Sequence, residues 1–351
     1  MLLAQVLSKH FKMIDSRLNT FAGIIKAFIL CRGVQFKQMS EEIKGDIKLD
    51  SKIKSISRFL NGNHIGSKQF YKFIKYYIPQ EAKIVSIDRT TWEMGKEIRN
   101  VLTLAISFDG IAMPVAFKII PYKGSCTAFD QIELLESFIQ EYGIEKIKAL
   151  VGDREFDNEK LITYLDSKNI AYALRVRKTN RIEDTSGNMV SIRTLGNKSV
   201  RNFLTKFYSV KVKFDHIITT TGDYLSVVSS RNLADALTVY KMRWDIETTF
   251  KGCKTGGFRI EDTHVKNSVR FENLIKCLFI AYAIVIRIGD YASKINPIKV
   301  KQTLVCKAYS ILQFGIRLIK EAYSKSKKEF WALIKYYLKL PPTKPNIIFV
   351  R

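Results

Sequence analysis

Two β-rich runs, Arg99–Phe108 and Ile111–Ile120, meet at Asp109-Gly110. An Asp-Gly pair between such runs supplies the positive φ angles of a two-residue hairpin, so both runs are read as neighbouring antiparallel strands. The chain on either side continues with strands and helices in alternation. Ile84–Ile87 is a short apolar strand leading to Asp88. A helix is expected from about Thr127 to Tyr142, with Ile132, Leu135, Phe138 and Ile139 on one face and Gly143 as its stop. Ile147–Gly152 is a second apolar strand, ending at Asp153; Asn158–Lys168 reads as a helix and Ile170–Arg177 as a further strand.

Three strands with a hairpin, then helix, strand, helix, strand, is the order of an RNase H-like α/β core. In that core the first and fourth strands lie side by side, which brings an Asp at the end of each to one edge of the sheet. Asp88 and Asp153 occupy those places. An Asp after an apolar strand is more often a turn or cap residue, so the weight rests on the pair.

From Lys178 to Arg231 the texture changes. Asp184–Asn188 is turn-rich, and Val210, Val212 and Phe214 alternate with Ser209, Lys211 and Lys213, as in strands with one face in water. We read 178–231 as a β-rich insertion. A helix follows, capped near Asn232 and running past Phe250, and beyond Gly256-Gly257 helices return at about 267–292, 300–321 and 326–339. Residues 1–80 also read as helices: one starting at Ser40-Glu41-Glu42, one over Ser51–Leu60 and one over Ser67–Tyr77. With Lys44, Lys52, Lys54 and Arg58 nearby they are compatible with a helix-turn-helix reader, as is any small helical bundle. The expected organisation is a helical DNA-binding domain over 1–80 and a catalytic core over 84–177 and 232–260. The β insertion lies over 178–231 and a helical region for DNA contact or dimerisation over 261–351.

Charge supports a polyanionic partner. The chain of 351 residues carries a formal net charge of +25. Residues 1–83 hold 15 Lys/Arg against 6 Asp/Glu and residues 252–351 hold 19 against 6, while the middle is nearly balanced at 24 against 21. Two basic flanks suit phosphate contacts better than a membrane surface, for which no amphipathic basic helix is evident. The longest apolar run, Cys277–Ile286, fits a buried helix rather than a span. Five scattered cysteines without a CxxC pair point to a reducing cytoplasm. His10, His64, His216 and His264 are isolated and read as ordinary surface or core residues.

Phosphodiester cleavage by two metal ions needs converging carboxylates, and Mg²⁺ prefers hard oxygen donors completed by water and phosphate. The third carboxylate is sought on the helix after the insertion. At 100° per residue, Tyr240, Arg243, Glu247 and Lys254 fall within a stripe of about 60°, provided the helix continues through Gly252. A solvated, paired polar face has the same spacing. As a site, Glu247 completes the metal centre and Arg243 and Lys254 grip phosphates.

The spacing Tyr240-x2-Arg243-x3-Glu247-x6-Lys254 resembles the YREK signature of DDE transposases of bacterial insertion sequences, in particular family four. Asp88-Arg89-Thr90-Thr91-Trp92 and Gly152-Asp153-Arg154-Glu155-Phe156 resemble that family's two aspartate motifs. The resemblance covers about residues 84–260 and includes the β insertion. It implies cut-and-paste DNA transposition: hydrolysis at the element ends, hairpin formation, hairpin opening and strand transfer into target DNA. Asp88, Asp153 and Glu247 would hold two Mg²⁺ ions, with Mn²⁺ able to substitute. The substrate would be double-stranded DNA, terminal inverted repeats and target, bridged by a homodimer in a bacterial, nucleoid-associated setting. Trp92 and Trp244 stand close enough in sequence to the acids to stack a displaced base, and both fit core packing as well. The competing readings are another RNase H-like nuclease, such as a junction resolvase, and a regulator that keeps the fold without catalysis.

Overall fold

Asp109 and Gly110 both take positive φ, 51° and 74°, and the two strands they join pair antiparallel with Phe108 opposite Ile111. The structure, a computed structural model, describes residues 2–31, 33–94, 97–301 and 306–339. Along the chain, helices α1 (Leu2–Ser8), α2 (Asp15–Cys31), α3 (Phe36–Glu41), α4 (Leu49–Asn61) and α5 (Ser67–Lys75) come first. Strands β1 (Lys83–Met94), β2 (Glu97–Phe108) and β3 (Ile111–Ile120) precede α6 (Ala128–Tyr142), β4 (Ile147–Gly152), α7 (Glu159–Ser167) and β5 (Tyr172–Arg175). Then come β6 (Arg181–Glu183), β7 (Met189–Ser191), β8 (Val200–Phe207), β9 (Val210–Ile218) and β10 (Tyr224–Ser229). The chain continues through α8 (Ala236–Lys241), α9 (Trp244–Lys251), α10 (Ser268–Ile295), β11 (Val300–Lys301), β12 (Cys306–Lys307), α11 (Ile311–Lys325) and α12 (Lys327–Lys339).

These elements form two compact units. One holds Pro79–Thr91 and Asn100–Thr248; the other holds residues 2–78, 92–99 and 249–339 among those described. The first unit is a mixed α/β body on one sheet of order β3-β2-β1-β4-β5-β10-β9-β8. The first five strands in that order are those expected of an RNase H-like core. β1, β4 and β5 run parallel, and β10, β9 and β8 continue antiparallel from the β5 edge. Most of the strands from 178–231 therefore extend the core sheet; only β6 and β7 pair off separately. Helix α6 packs on β3 and α7, while α8 packs on β4, β5 and β10. Under α8, Ile84, Ala149, Val151, Ala173 and Val227 are buried with Leu237 and Tyr240.

The other unit is helical. Its axis is α10, buried over almost its whole length and packed against α2, α4, α5, α11 and α12. At Gly289 and Gly315, α10 and α11 approach so closely that a Cβ on either would stand 2.2–2.3 Å from the other helix's backbone oxygen. Two polar side chains inside α10 hold the loop after α4. Asn273 Nδ2 donates to the carbonyls of Leu60 and Gly62, at 2.9 and 3.0 Å, and Lys276 Nζ donates to Ile65 O at 3.1 Å. The apolar run Cys277–Ile286 is thus a buried helix, and among the described residues no helix is long and apolar enough to cross a membrane.

Several boundaries differ from the sequence reading. Ser40 lies in the last turn of α3, which ends at Glu41, instead of opening a helix; Met39 and Ser40 are buried and Glu42 is the C-cap. The helix expected over 300–321 begins only at Ile311, capped by Ser310 Oγ; Val300–Lys301 and Cys306–Lys307 form a two-stranded ladder, and 302–305 lie outside the described residues. The tail of the C-terminal region beyond residue 339 also lies outside them.

Candidate active site

Pairing between β1 and β4 ends at Ile87 opposite Gly152, so the next residue of each chain is an aspartate. Side chains alternate along extended chain. Ile84, Ser86 and Asp88 therefore share one face, as do Ala149, Val151 and Asp153, and it is the face that α8 covers. β1 itself runs on to Met94, so Asp88 lies within a strand whose pairing with β4 has ended, and not at a strand terminus as the sequence suggested. Asp88 Oδ1 accepts from Arg89 N at 2.8 Å. Burial pushes the Asp88 carboxyl up to about 7; the Arg89 amide and Arg243 oppose that, and Glu247 and Asp153 add to it. Glu247 and Asp153 are thus each within electrostatic reach of Asp88.

Asp153 caps the short turn Arg154–Phe156, its Oδ1 accepting from Arg154 N at 2.6 Å. The glycine before it has a steric cause. A Cβ at Gly152 would stand 3.0 Å from both Ile87 Cγ2 and Phe156 Cδ2.

Glu247 arrives by a broken helix. The N-cap is Asp235, whose carboxylate accepts from Thr238 N, and not Asn232. The helix does not run through: α8 ends at Lys241 and α9 starts at Trp244. Between them, Arg243 N bonds to Tyr240 O at 3.0 Å and Ile246 N to Arg243 O at 3.2 Å, the tighter i→i−3 pattern. Ser107 of β2 anchors this break: its hydroxyl lies 3.2 Å from Ser86 Oγ and donates to Met242 O at 3.4 Å. Asp245 also bonds Ser107, and burial nonetheless pushes its carboxyl up to about 6. Two short helices hinged on a serine pair replace the single straight helix of the sequence reading.

The hinge brings Tyr240, Arg243 and Glu247 together. Arg243 is buried; its Nε donates to Tyr240 Oη at 3.0 Å and its Nη1 to Glu247 Oε1 at 2.5 Å. Burial disfavours the guanidinium charge, but Tyr240, Glu247 and Asp153 outweigh it and hold Arg243 protonated. Lys254 lies in the helical unit, within a π-helical turn Gly252–Gly256, with Nζ 3.7 Å from Glu261 Oε1. Leu312 packs closely on this turn, since a Cβ at Gly252 would stand 2.5 Å from Leu312 Cδ2.

The tryptophans separate. Trp92 is fully buried in the helical unit, edge-on to Phe271 at 6.1 Å, and presents no face to a base; its expected stacking role is corrected to packing. Trp244 is 64% exposed at the start of α9, with the Arg243 guanidinium 5.5 Å from its ring.

Arg89 and Glu155, which stand within the two aspartate motifs, carry no role in the reading from sequence alone. Arg89 Nε donates to Glu155 Oε1 at 2.6 Å, joining the two motifs. The available signal was their opposite charge, one residue after Asp88 and two after Asp153.

Asp88, Asp153 and Glu247 offer hard carboxylate oxygens; burial is the main cause of the rise at Asp88, and the smaller part that Glu247 and Asp153 add is what a bound divalent cation would relieve, so the donor set fits Mg²⁺ in kind. Among the described residues no three His, Cys, Asp or Glu side chains form a preformed cage. Cys31, Cys126, Cys253 and Cys277 are free thiols.

A comparison with curated proteins gives no match. The family model described as the transposase DDE domain matches residues 79–284, more than half of the chain and all three acids. The chain belongs to the DDE transposase domain family.

Proposed function

We propose that this chain is a cut-and-paste transposase of the type carried by bacterial insertion sequences of family four, working as a homodimer on double-stranded DNA in the bacterial cytoplasm. Membership of the DDE family makes DNA transposition the reaction class. The observation that carries the finer reading is the pair of aspartates following Ile87 and Gly152, under the hinge that delivers Glu247.

Asp88, Asp153 and Glu247 are the residues that would hold two Mg²⁺ ions. When bound, the ions would activate the attacking oxygen and stabilise the leaving oxygen of each in-line displacement. The chain's own groups supply the rest. Arg243 keeps Glu247 oriented and presents a fixed guanidinium beside the scissile phosphate. Tyr240 holds that guanidinium in place through its hydroxyl. Trp244 offers an exposed ring on which a base displaced during hairpin formation stacks, an interaction worth about 1–3 kcal/mol. Tyr240-Arg243-Glu247-Lys254 is then the YREK signature, with Lys254 a phosphate contact. In the helical N-terminal region, Lys54 and Arg58 are exposed on α4, beside α3, as a reader of element ends requires.

The test is incubation of the protein with labelled DNA carrying the inverted repeats that flank its gene, with Mg²⁺ or EDTA. Nicks with a 3′-OH followed by hairpin ends support the reading. Nicking without hairpins leaves a DDE nuclease of another kind, and binding without cleavage leaves a regulator.

A further inference from the structure

Arg89 and Glu155 form an ion pair whose two partners flank the candidate acids. Arg89 directly follows Asp88, and Glu155 follows Asp153 by two residues. The pair is 2.6 Å long with both side chains largely enclosed. Neither group depends on the other alone. Arg89 Nη1 also donates to Asn100 Oδ1 at 2.9 Å and Thr91 Oγ1 at 3.1 Å, fixing the guanidinium to β1 and β2. Glu155 Oε1 also accepts from Cys126 N at 2.9 Å, fixing the carboxylate to the start of α6. Burial pushes the Glu155 carboxyl up, and the Arg89 and Cys126 hydrogen bonds more than reverse this, so it stays ionised.

We infer that Arg89 and Glu155 are positioning residues that set the separation and aim of Asp88 and Asp153. This rests on the reading of those aspartates as metal ligands. Backbone pairing between β1 and β4 stops at Ile87 and Gly152, so the ladder does not reach the aspartates themselves. Beyond that point the Arg89–Glu155 contact spans from β1 to the turn after β4. Alternation along β1 turns Arg89 to the face opposite Asp88. The brace thus holds the acids from the opposite face and does not itself occupy their oxygens. Supporting groups of this kind govern metal affinity through ligand geometry, and their loss costs about 10–100-fold.

The experiment measures Mn²⁺ binding to the full chain by titration calorimetry, without DNA, alongside thermal melting. The variants are Arg89→Ala, Glu155→Ala and Glu155→Gln, with Arg201→Ala as control, since Arg201 pairs with buried Asp215 at 2.9 Å in the same unit. We expect both alanine variants to bind Mn²⁺ at least about tenfold more weakly while folded. Glu155→Gln, which keeps an acceptor for the Cys126 amide, should lose less. Arg201→Ala should lower the melting temperature and leave affinity unchanged. Wild-type affinity in folded Arg89→Ala and Glu155→Ala would overturn the brace and leave the metal site standing. Should either alanine variant not fold, Glu155→Gln decides, and unchanged affinity there has the same meaning. Absence of Mn²⁺ binding by the wild type would instead overturn the reading of the aspartates.

Discussion

The Arg243 guanidinium reaches the Glu247 carboxylate at 2.5 Å from a buried position, while Glu247 itself is about one-third exposed. A buried cation therefore aims a partly open anion. Arg243→Ala removes the aim and leaves Tyr240 Oη without this donor. The expected loss is about 1–3 kcal/mol of unfolding free energy in urea at pH 7.5, because one buried hydrogen-bonded partner is deleted. Arg243→Lys should recover part of the stability and little of the cleavage, since an ammonium cannot serve both Tyr240 and Glu247 with the same fixed fork.

Asp88 sets a pH dependence with a definite sign. Its folded-state value, near 7, lies above the ordinary carboxyl value of 3.8, so the folded protein binds this proton more tightly. Stability from this group is full below about pH 4, falls as pH rises towards 7 and is flat above. Metal binding runs the other way, because the ligand must lose its proton: Mn²⁺ affinity should rise through pH 5–7 and level off beyond. Asp88→Asn keeps an acceptor for the Arg89 amide and removes the buried charge. It should therefore melt several degrees higher than wild type at pH 8 while losing cleavage. Melting curves across pH 5–8 check both statements.

The two tryptophans should behave oppositely. Trp92→Ala empties a fully buried site and should cost about 3–5 kcal/mol. Trp244→Ala, at an exposed position, should leave stability within about 0.5 kcal/mol and slow hairpin formation more than the first nick. A gel time course on a labelled end substrate separates the steps; equal loss of both products would assign Trp244 to general positioning.

Gly152→Ala tests the close approach behind Asp153. A Cβ there meets Ile87 and Phe156 at 3.0 Å, tight enough to shift the turn that carries the acid. Destabilisation of about 1–3 kcal/mol is expected in denaturant titration, with a loss of Mn²⁺ affinity larger than that of the Arg201→Ala control.

The strands, and the place of the two aspartates at one edge of the sheet, were legible in the sequence, because short apolar runs and Asp109-Gly110 are local signals. β4, from Ile147 to Gly152, and β3, from Ile111 to Ile120, match their expected limits. The hinge at Met242–Arg243 was not legible, since its anchor, Ser107, lies on a strand more than 130 residues earlier. The expected polar stripe of Tyr240, Arg243, Glu247 and Lys254 assumed one straight helix through Gly252; the tightened turn keeps the first three together by hydrogen bonds instead. The burial of Trp92 depends on Phe271, equally remote in sequence. Likewise, nothing local in 178–231 says that β10 pairs with β5 and so extends the core sheet.

The central claim is that Asp88, Asp153 and Glu247 act as one metal-holding set. Its most direct test is Mn²⁺-dependent nicking of a labelled element end by Asp88→Asn, Asp153→Asn and Glu247→Gln, with DNA binding measured in parallel. All three should abolish nicking and bind the end nearly as well as wild type, because binding rests on Lys and Arg contacts to phosphate. Near-wild-type nicking by any one of them would contradict the claim.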